Sequence, residues 1–312
     1  MPIVVAGNVF VDIKGFPDDV YIPAGRNAGQ VVTVHGGVGR NVAEDIANLE
    51  LRPRFVSMVD DTAEGEAVRR KLEAHKTDTK YLVTAHDGMG IWLAVFDHTG
   101  DVAASISKRP DMSALLRLVE EKGDEIFSDA DSIVHEIDMD KDIIKAVLKS
   151  AKKYGKKVIA VVANMSIASQ RRDLLTQVDT LICNSQEAGI LFLEDYAGKA
   201  PEELRDIIAE RILSAGFRSL VVTMGGEGCV YASADGEKGI CPANKVNVKD
   251  TTGAGDAFCA GVAVGLTYGK GLAEAVKIGT RLAASVIVTS DSVCPRFRPA
   301  EFGLEVPGLT DI

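Results

Sequence analysis

Cysteine is sparse in this 312-residue chain and shows no pairing pattern. Cys183, Cys229, Cys241, Cys259 and Cys294 form an odd set without a CxxC pair, which speaks against a disulfide framework or a zinc ribbon and fits a reducing cytosol. His135-Glu136 is not a zinc-protease helix either, because Met139 stands where the second histidine would be. No apolar run is long enough to span a bilayer, and the first residues enter an apolar segment without the charged leader of a signal peptide. A cytoplasmic protein without a membrane partner is therefore expected. Basic tracts are missing as well, and the formal net charge of -10 argues against a nucleic acid polymer as partner. No loop matches GxxxxGK[ST], so a Walker-type NTPase is not supported. The glycines at 37 and 39 are not a dinucleotide fingerprint, since the third glycine would fall at Val42.

What is present is enough apolar residue, 46%, for a large core, and a repeated strand-helix alternation. Residues 3–10 read as a buried strand ending at Asp12, 54–59 as a strand, and 63–75 as a helix. From 113 onward the alternation resumes through strands at 132–137, 157–162, 180–183 and 219–223, with helices at 141–154 and 273–289. Such alternation implies a mostly parallel sheet with right-handed crossovers. Residues 30–34, 81–84, 90–96 and 102–106 break the pattern. Asp87-Gly88 and Thr99-Gly100-Asp101 between them suit hairpins, so a small separate sheet, a lid or an oligomer interface, is expected over 13–35 and 80–107. The α/β core then comprises 1–12, 36–79 and 108–312. Trp92 is expected in the core rather than on the lid surface.

Several loops at strand ends carry residues suited to chemistry. In Lys249-Asp250-Thr251-Thr252-Gly253-Ala254-Gly255-Asp256, glycines let backbone N–H groups approach a ligand at the start of an apolar helix, where an anion is favoured. Asp256 adds a carboxylate beside that anion, a pairing that suits phosphoryl transfer; the plain alternative is a turn with a dipole-favoured acid. Residues 35–43 open a second helix, whose periodicity runs through Leu49, with glycines, and Arg40 and Asn41 there offer donors to sugar hydroxyls; the plain alternative is simple helix entry. Asp12 is either a substrate contact at a strand end or a turn former. Asn184-Ser185-Gln186-Glu187 reads either as a helix cap with Ser185 at the N-cap or as a magnesium-binding amide and carboxylate. Residues 224–228 are a hairpin whose three glycines also permit close approach of nucleotide phosphates.

With these residues in order, the chain resembles the ribokinase-like (PfkB) carbohydrate kinases over nearly its whole length. Gly36-Gly37-Val38-Gly39-Arg40-Asn41 and Asp250-Thr251-Thr252-Gly253-Ala254-Gly255-Asp256 correspond to the two signatures, with Asn184-x-x-Glu187 and Thr223-Met224-Gly225-Gly226 between them. The resemblance implies a three-layer α/β/α sandwich with a β-sheet lid, ATP as donor, magnesium, and a homodimer through the lid. It implies Asp256 as the base, with Gly253, Ala254 and Gly255 as the anion hole. It further implies Asp12, Gly37, Asn41 and Glu136 at the sugar, and Asn184, Thr223, Gly225, Gly226 and Gly228 at the nucleotide. Glu187 would serve magnesium, and Asp250 and Thr252 a monovalent cation, commonly potassium. The run at 36–41, residues 97–101 and residues 219–228 are similar to the pseudouridine kinase branch. That likeness implies phosphorylation of the 5′-hydroxyl of pseudouridine, with another nucleoside or a ribose- or fructose-like sugar as the alternative. A non-catalytic sugar or nucleotide sensor is the reading from another class. At residues 162–164 the chain departs from the family, which often carries an acid or proline there.

Overall fold

A computed structural model describes residues 2–137 and 139–306. The strands, in chain order, are β1 (Ile3–Ala6), β2 (Phe10–Pro17), β3 (Gly29–Gly36), β4 (Arg54–Val59), β5 (Leu82–Thr84), β6 (Gly90–Phe96) and β7 (Val102–Lys108). They continue as β8 (Ser132–Glu136), β9 (Val158–Val161), β10 (Thr180–Asn184), β11 (Ser219–Thr223), β12 (Cys229–Ser233) and β13 (Lys238–Cys241). The helices are α1 (Val38–Asn48), α2 (Ala63–Ala74), α3 (Ser113–Phe127), α4 (Lys141–Tyr154), α5 (Met165–Ala168) and α6 (Arg172–Leu175). They end with α7 (Ser185–Phe192), α8 (Pro201–Ala215), α9 (Ala254–Thr267) and α10 (Leu272–Val286).

Among the described residues, nine strands form one sheet in the order β13-β12-β11-β10-β9-β8-β1-β4-β5. It is parallel from β11 through β5, and antiparallel only where β12 and β13 extend the edge. Because successive side chains on a strand point to opposite faces, a sheet covered on both sides needs apolar residues at every position. β1 meets that demand: Val4 and Ala6 join one core with Leu115, Val147 and Ile208, while Ile3 and Val5 join another with Ile46, Val262 and Val276. Helices α3, α4 and α8 thus cover one face and α1, α9 and α10 the other, which is the three-layer sandwich. Local chemistry fixes the helix ends. Thr62 caps α2 by accepting from the Gly65 N–H, and Asp140 caps α4, which terminates at the left-handed Gly155.

The second sheet has the order β3-β2-β6-β7, with β2 and β6 parallel and the outer pairs antiparallel. Two expectations change here. The run at 3–10 is not one strand: β1 stops at Ala6, the chain turns at Gly7-Asn8, and β2 starts the lid at Phe10, so Asp12 lies on the lid. The break is steric and polar. A Cβ on Gly7 would lie 2.5 Å from the Gly39 Cα, and the Asn8 N–H is drawn to Glu136 at 2.8 Å. Residues 82–84 do not form a lid hairpin but pair with β4 as the edge of the core sheet, with Tyr81 and Leu82 buried. Three residues are too few to display a period, so the flanking turns dominated the pattern.

Candidate functional site

The parallel strands β8, β10 and β11 end on one edge of the sheet at Glu136, Asn184 and Thr223, where an open α/β sheet gathers its ligands. Glu136 is buried and committed to the chain itself. Its Oε2 accepts from the N–H groups of Asn8 (2.8 Å) and Gly39 (3.1 Å), and its Oε1 accepts from Asn8 Nδ2 at 2.6 Å. It thereby ties the β1–β2 turn to the start of α1. Gly37 precedes that helix with φ 98°, and a Cβ there would lie 2.5 Å from the Asn8 carbonyl oxygen, so glycine is obligatory. Arg40 does not offer donors to a sugar. It is 1% exposed, pairs with the buried Glu44 at 2.6 Å, and donates to the carbonyls of His35 and Gly36 where β3 joins α1. Desolvation opposes the Glu44 charge, but Arg40, Lys71 and His75 outweigh it and hold the carboxyl below its usual range.

Asp256 sits in the first turn of α9, a helix buried from Ala257 to Gly265 and crossed closely by α10. A Cβ on Gly261 would lie 2.7 Å from the Gly279 Cα, so only glycines allow that approach. The Asp256 Oδ2 accepts from Asn41 Nδ2 at 2.6 Å. Burial pushes its carboxyl up to about 6, against the pull of the Asn41 hydrogen bond and Arg40. Asp12 is also raised, chiefly by burial, with Lys14 and Arg40 opposing. Gly253, the N-cap of α9, has φ 81° and packs on the Ser292 carbonyl, where a Cβ would lie at 1.9 Å. A Cβ on Gly255 would meet nothing within 4 Å. The Ala254 N–H leans on Thr251 O at 3.3 Å, while the Gly255 N–H has no acceptor among the described residues. An oxyanion held there would find backbone donors on one side and a carboxylate of raised pKa on the other.

Two cavities share Asp12 in their linings, and one of them includes Asn41, the partner of Asp256. One of about 500 Å³ is lined by Asp12, Gly37 and Glu136, by the apolar Phe10, Trp92, Met112 and Met139, and by a polar rim that includes Ser107, Asp140, Asn164 and Arg171. The other, of about 630 Å³, brings Asp12 and Asn41 together with Asp250, Thr252 and the 289–296 loop. Trp92 is half-buried and faces the first cavity, contrary to the expected core position. Its two-residue alternation with Ala94 and Phe96 on a sheet open to a cavity explains the difference. Asn8, Trp92 and Ser107 carried no motif. The pointers to them were the polar residue directly after Gly7 and the position of Trp92 two residues into a strand. Asn164, in the departing segment, caps α5 and borders the same cavity.

Asn184 and Thr223 are paired across β10 and β11, so the two nucleotide motifs are neighbours. The N-cap of α7 is Asn184, not Ser185: its Oδ1 accepts from the Glu187 N–H and the Glu187 Oε2 accepts from the Asn184 N–H, both at 2.8 Å. That box fixes one carboxylate at the sheet edge. It suits a magnesium ion carried mainly by nucleotide phosphates and water, and no cluster of three or more acidic, His or Cys ligands occurs among the described residues. The β11–β12 glycines differ from one another. A Cβ at Gly225 or Gly226 would meet nothing within 4 Å, whereas at Gly228, with φ 95°, it would lie 2.1 Å from the Cys241 carbonyl oxygen. Gly228 is therefore needed by the hairpin itself. Gly226, with an ordinary φ, has no such internal reason. Burial works against ionising Asp250, but the Thr252 N–H, 2.8 Å away, and the Thr252 side chain outweigh it and lower its pKa. An ionised oxygen beside a half-open loop is compatible with a monovalent cation. Among the described residues no helix is long and apolar enough to cross a membrane.

The profile of the pfkB family of carbohydrate kinases matches residues 2–295. The guanosine-inosine kinase of Exiguobacterium acetylicum is 32% identical over 292 residues, covering 93% of this chain and 95% of its own. The pseudouridine kinase of Escherichia coli strain K12 is 28% identical over 278 residues, with 88% and 87% covered. In fold, the structure of Arabidopsis thaliana ribokinase complexed with ribose and ATP is similar with a TM-score of 0.80 at 21% identity, over 96% of this chain and 98% of that one. The chain belongs to the pfkB family of carbohydrate kinases and is a sugar or nucleoside kinase.

Proposed function

We propose that the protein transfers the γ-phosphoryl group of ATP to the 5′-hydroxyl of a ribonucleoside. The observation that carries this reading is the cavity of about 500 Å³, whose lining combines a polar part, Asp12, Glu136 and the backbone at Gly37, with an apolar part, Phe10, Trp92, Met112 and Met139. A free pentose needs the first part only, whereas a sugar bearing a flat base fills both. In this reading Asp12 and the backbone at Gly37 hold the ribose, and Glu136 keeps the Asn8 and Gly39 turns in place around it. Asp256, aligned by Asn41, takes the proton of the 5′-hydroxyl as that oxygen bonds to the γ-phosphorus and the bond to the ADP oxygen breaks. The N–H groups of Gly253, Ala254 and Gly255 face the charge on the phosphoryl oxygens. Asn184, Thr223, Gly225 and Gly226 lie along the nucleotide. Magnesium, near Glu187, neutralises phosphate charge when bound, and Asp250 and Thr252 are suited to hold potassium beside the anion hole.

Purine nucleosides are favoured as the acceptor by the similarity to guanosine-inosine kinase across 93% of the chain. Pseudouridine is the second reading, and the relative that bears its name supports it. The motif residues behind it speak less strongly, because Arg40 turns into the core and residues 97–101 form an exposed turn away from the cavity. The outward face of the lid exposes Val31, Leu93 and Ile106, at 74%, 41% and 70%, which suits self-association of two copies. The five buried, unpaired cysteines fit a cytoplasmic setting.

An ADP-release panel over inosine, guanosine, adenosine, pseudouridine, D-ribose and D-fructose tests the acceptor class. The expected result is at least about tenfold higher kcat/KM for a ribonucleoside than for either free sugar, since that ratio corresponds to about 1.4 kcal/mol of differential binding. A free sugar as the best acceptor would refute the reading.

A further inference from the structure

The lid presents a row of side chains to the site. Val34 is paired with Asp12, Asp12 with Trp92, and Trp92 with Ser107 across β3, β2, β6 and β7. Residues paired across strands project from the same face, and adjacent strands lie about 4.8 Å apart. Trp92 is thus the cross-strand neighbour of Asp12, whose carboxyl leans toward Gly36 on β3, and both residues line the cavity of about 500 Å³. Phe96, four residues along the same strand, packs edge-on against the indole with ring centroids 6.3 Å apart and planes at 88°. Phe96 is itself stacked on Phe16 at 4.7 Å. This aromatic buttress orients the indole while leaving it half-buried, with apolar surface toward the cavity. The same cavity is lined by Met139 of the core and Met112 packed against it, whose thioethers adapt to a flat partner.

An aromatic plate beside a hydroxyl-binding carboxylate adds little for a small polyol, whose hydroxyls Asp12 and the α1 backbone already meet. It is the arrangement that a ribose carrying a planar base would use, the ribose at Asp12 and the base over the neighbouring strand. We propose that Trp92 is the platform on which the base of the nucleoside stacks, and that this residue determines the preference for nucleosides over free pentoses. The inference rests on the nucleoside reading given above and assigns it to one side chain. Stacking acts on the bound ground state and transition state alike, so its loss raises KM and spares kcat. Because the base rides on the lid, its arrival also bridges lid and core through one ligand.

Trp92 is the single tryptophan of the chain, so its fluorescence reports on this position alone. The test uses the full-length protein and three acceptors, inosine, pseudouridine and D-ribose. Titration without ATP is expected to change the tryptophan emission saturably with whichever nucleoside is turned over, and much less with D-ribose. Trp92→Ala is expected to raise the nucleoside KM by about tenfold or more, the scale of one lost base-aromatic stack, with kcat within about threefold. Trp92→Phe is expected to recover most of that loss, and D-ribose kinetics are expected to stay within about twofold in both variants. If the wild-type protein phosphorylates nucleosides while its emission is unchanged at saturation, the platform is refuted and the nucleoside reading stands. An equal loss for D-ribose and nucleosides in either variant refutes it too, because the contact would then be to the sugar. If the wild-type protein turns over D-ribose and no nucleoside, both the reading and the platform fall.

Discussion

Asp256 is placed where ionisation is costly, and the proposed chemistry needs it ionised. Its folded-state pKa of about 6 lies above the ordinary 3.8, so the ionised carboxylate destabilises the fold at neutral pH, and stability is regained as pH falls through 6 toward 3.8. Asp256→Asn is accordingly expected to raise the melting temperature near pH 7 while lowering kcat by about 10²- to 10⁴-fold, the usual worth of a general base. Calorimetry and steady-state rates on one preparation check both. A variant that keeps full activity would remove Asp256 from the role of base. The same pKa predicts a kcat/KM profile with an acidic limb near pH 6, falling about tenfold per pH unit below it. His135 works in the opposite sense. It is wholly buried and lowered to about 4 by desolvation, so its contribution is complete above 6.5 and is lost as pH falls from 6.5 to 4, by about 3 kcal/mol. Denaturant titrations of the wild type and of His135→Asn across that interval isolate the His135 effect, because the opposing contributions of buried carboxyls such as Asp256 and Asp12 are common to both.

At the scale of elements, the glycines in one hairpin separate internal need from ligand need. Gly228→Ala is expected to cost at least about 1–3 kcal/mol, because the backbone there is left-handed and the Cys241 carbonyl occupies the space of a Cβ. Gly226→Ala is expected to unfold like the wild type within about 0.5 kcal/mol and yet to raise the KM for ATP. Equal stability loss in both, or an unchanged ATP KM in the second, contradicts the assignment of this loop to the nucleotide. The same elements show what the sequence could and could not disclose. Helices such as α2 and α4 were legible because caps and apolar periodicity agree, and β4 because Phe55, Val56, Met58 and Val59 make four of its six residues apolar. The split of β1 from β2 was hidden, since it depends on Gly7 meeting Gly39 from across the fold. The direction of Arg40 was hidden for a like reason: its partners are Glu44, one turn along, and two carbonyls at the lid hinge, and a motif does not say which way a side chain turns.

Across the whole molecule, the three-layer core was readable because strand and helix periods alternate for most of the chain. The site was only partly so. The signature segments pointed to Asn41, Asp250 and Asp256 and a strand end to Asp12; Asp12, Asn41 and Asp250 line the cavities and Asp256 is hydrogen-bonded to Asn41, but the apolar walls carry no pattern of their own. The lid joins these scales, since its inward face closes over the site and its outward face exposes Val31, Leu93 and Ile106. If that face pairs with a second copy, Ile106→Lys is expected to shift the sedimentation coefficient from dimer to monomer, and a wild-type protein already monomeric at micromolar concentration would reject the pairing. The central claim concerns which oxygen receives the phosphoryl group. Phosphorus and proton NMR of the product formed from ATP and inosine tests it most directly. The account predicts a new phosphomonoester coupled to the 5′-methylene protons and no product from 5′-deoxyinosine; phosphate on the 2′- or 3′-oxygen, or none on any nucleoside, would contradict it.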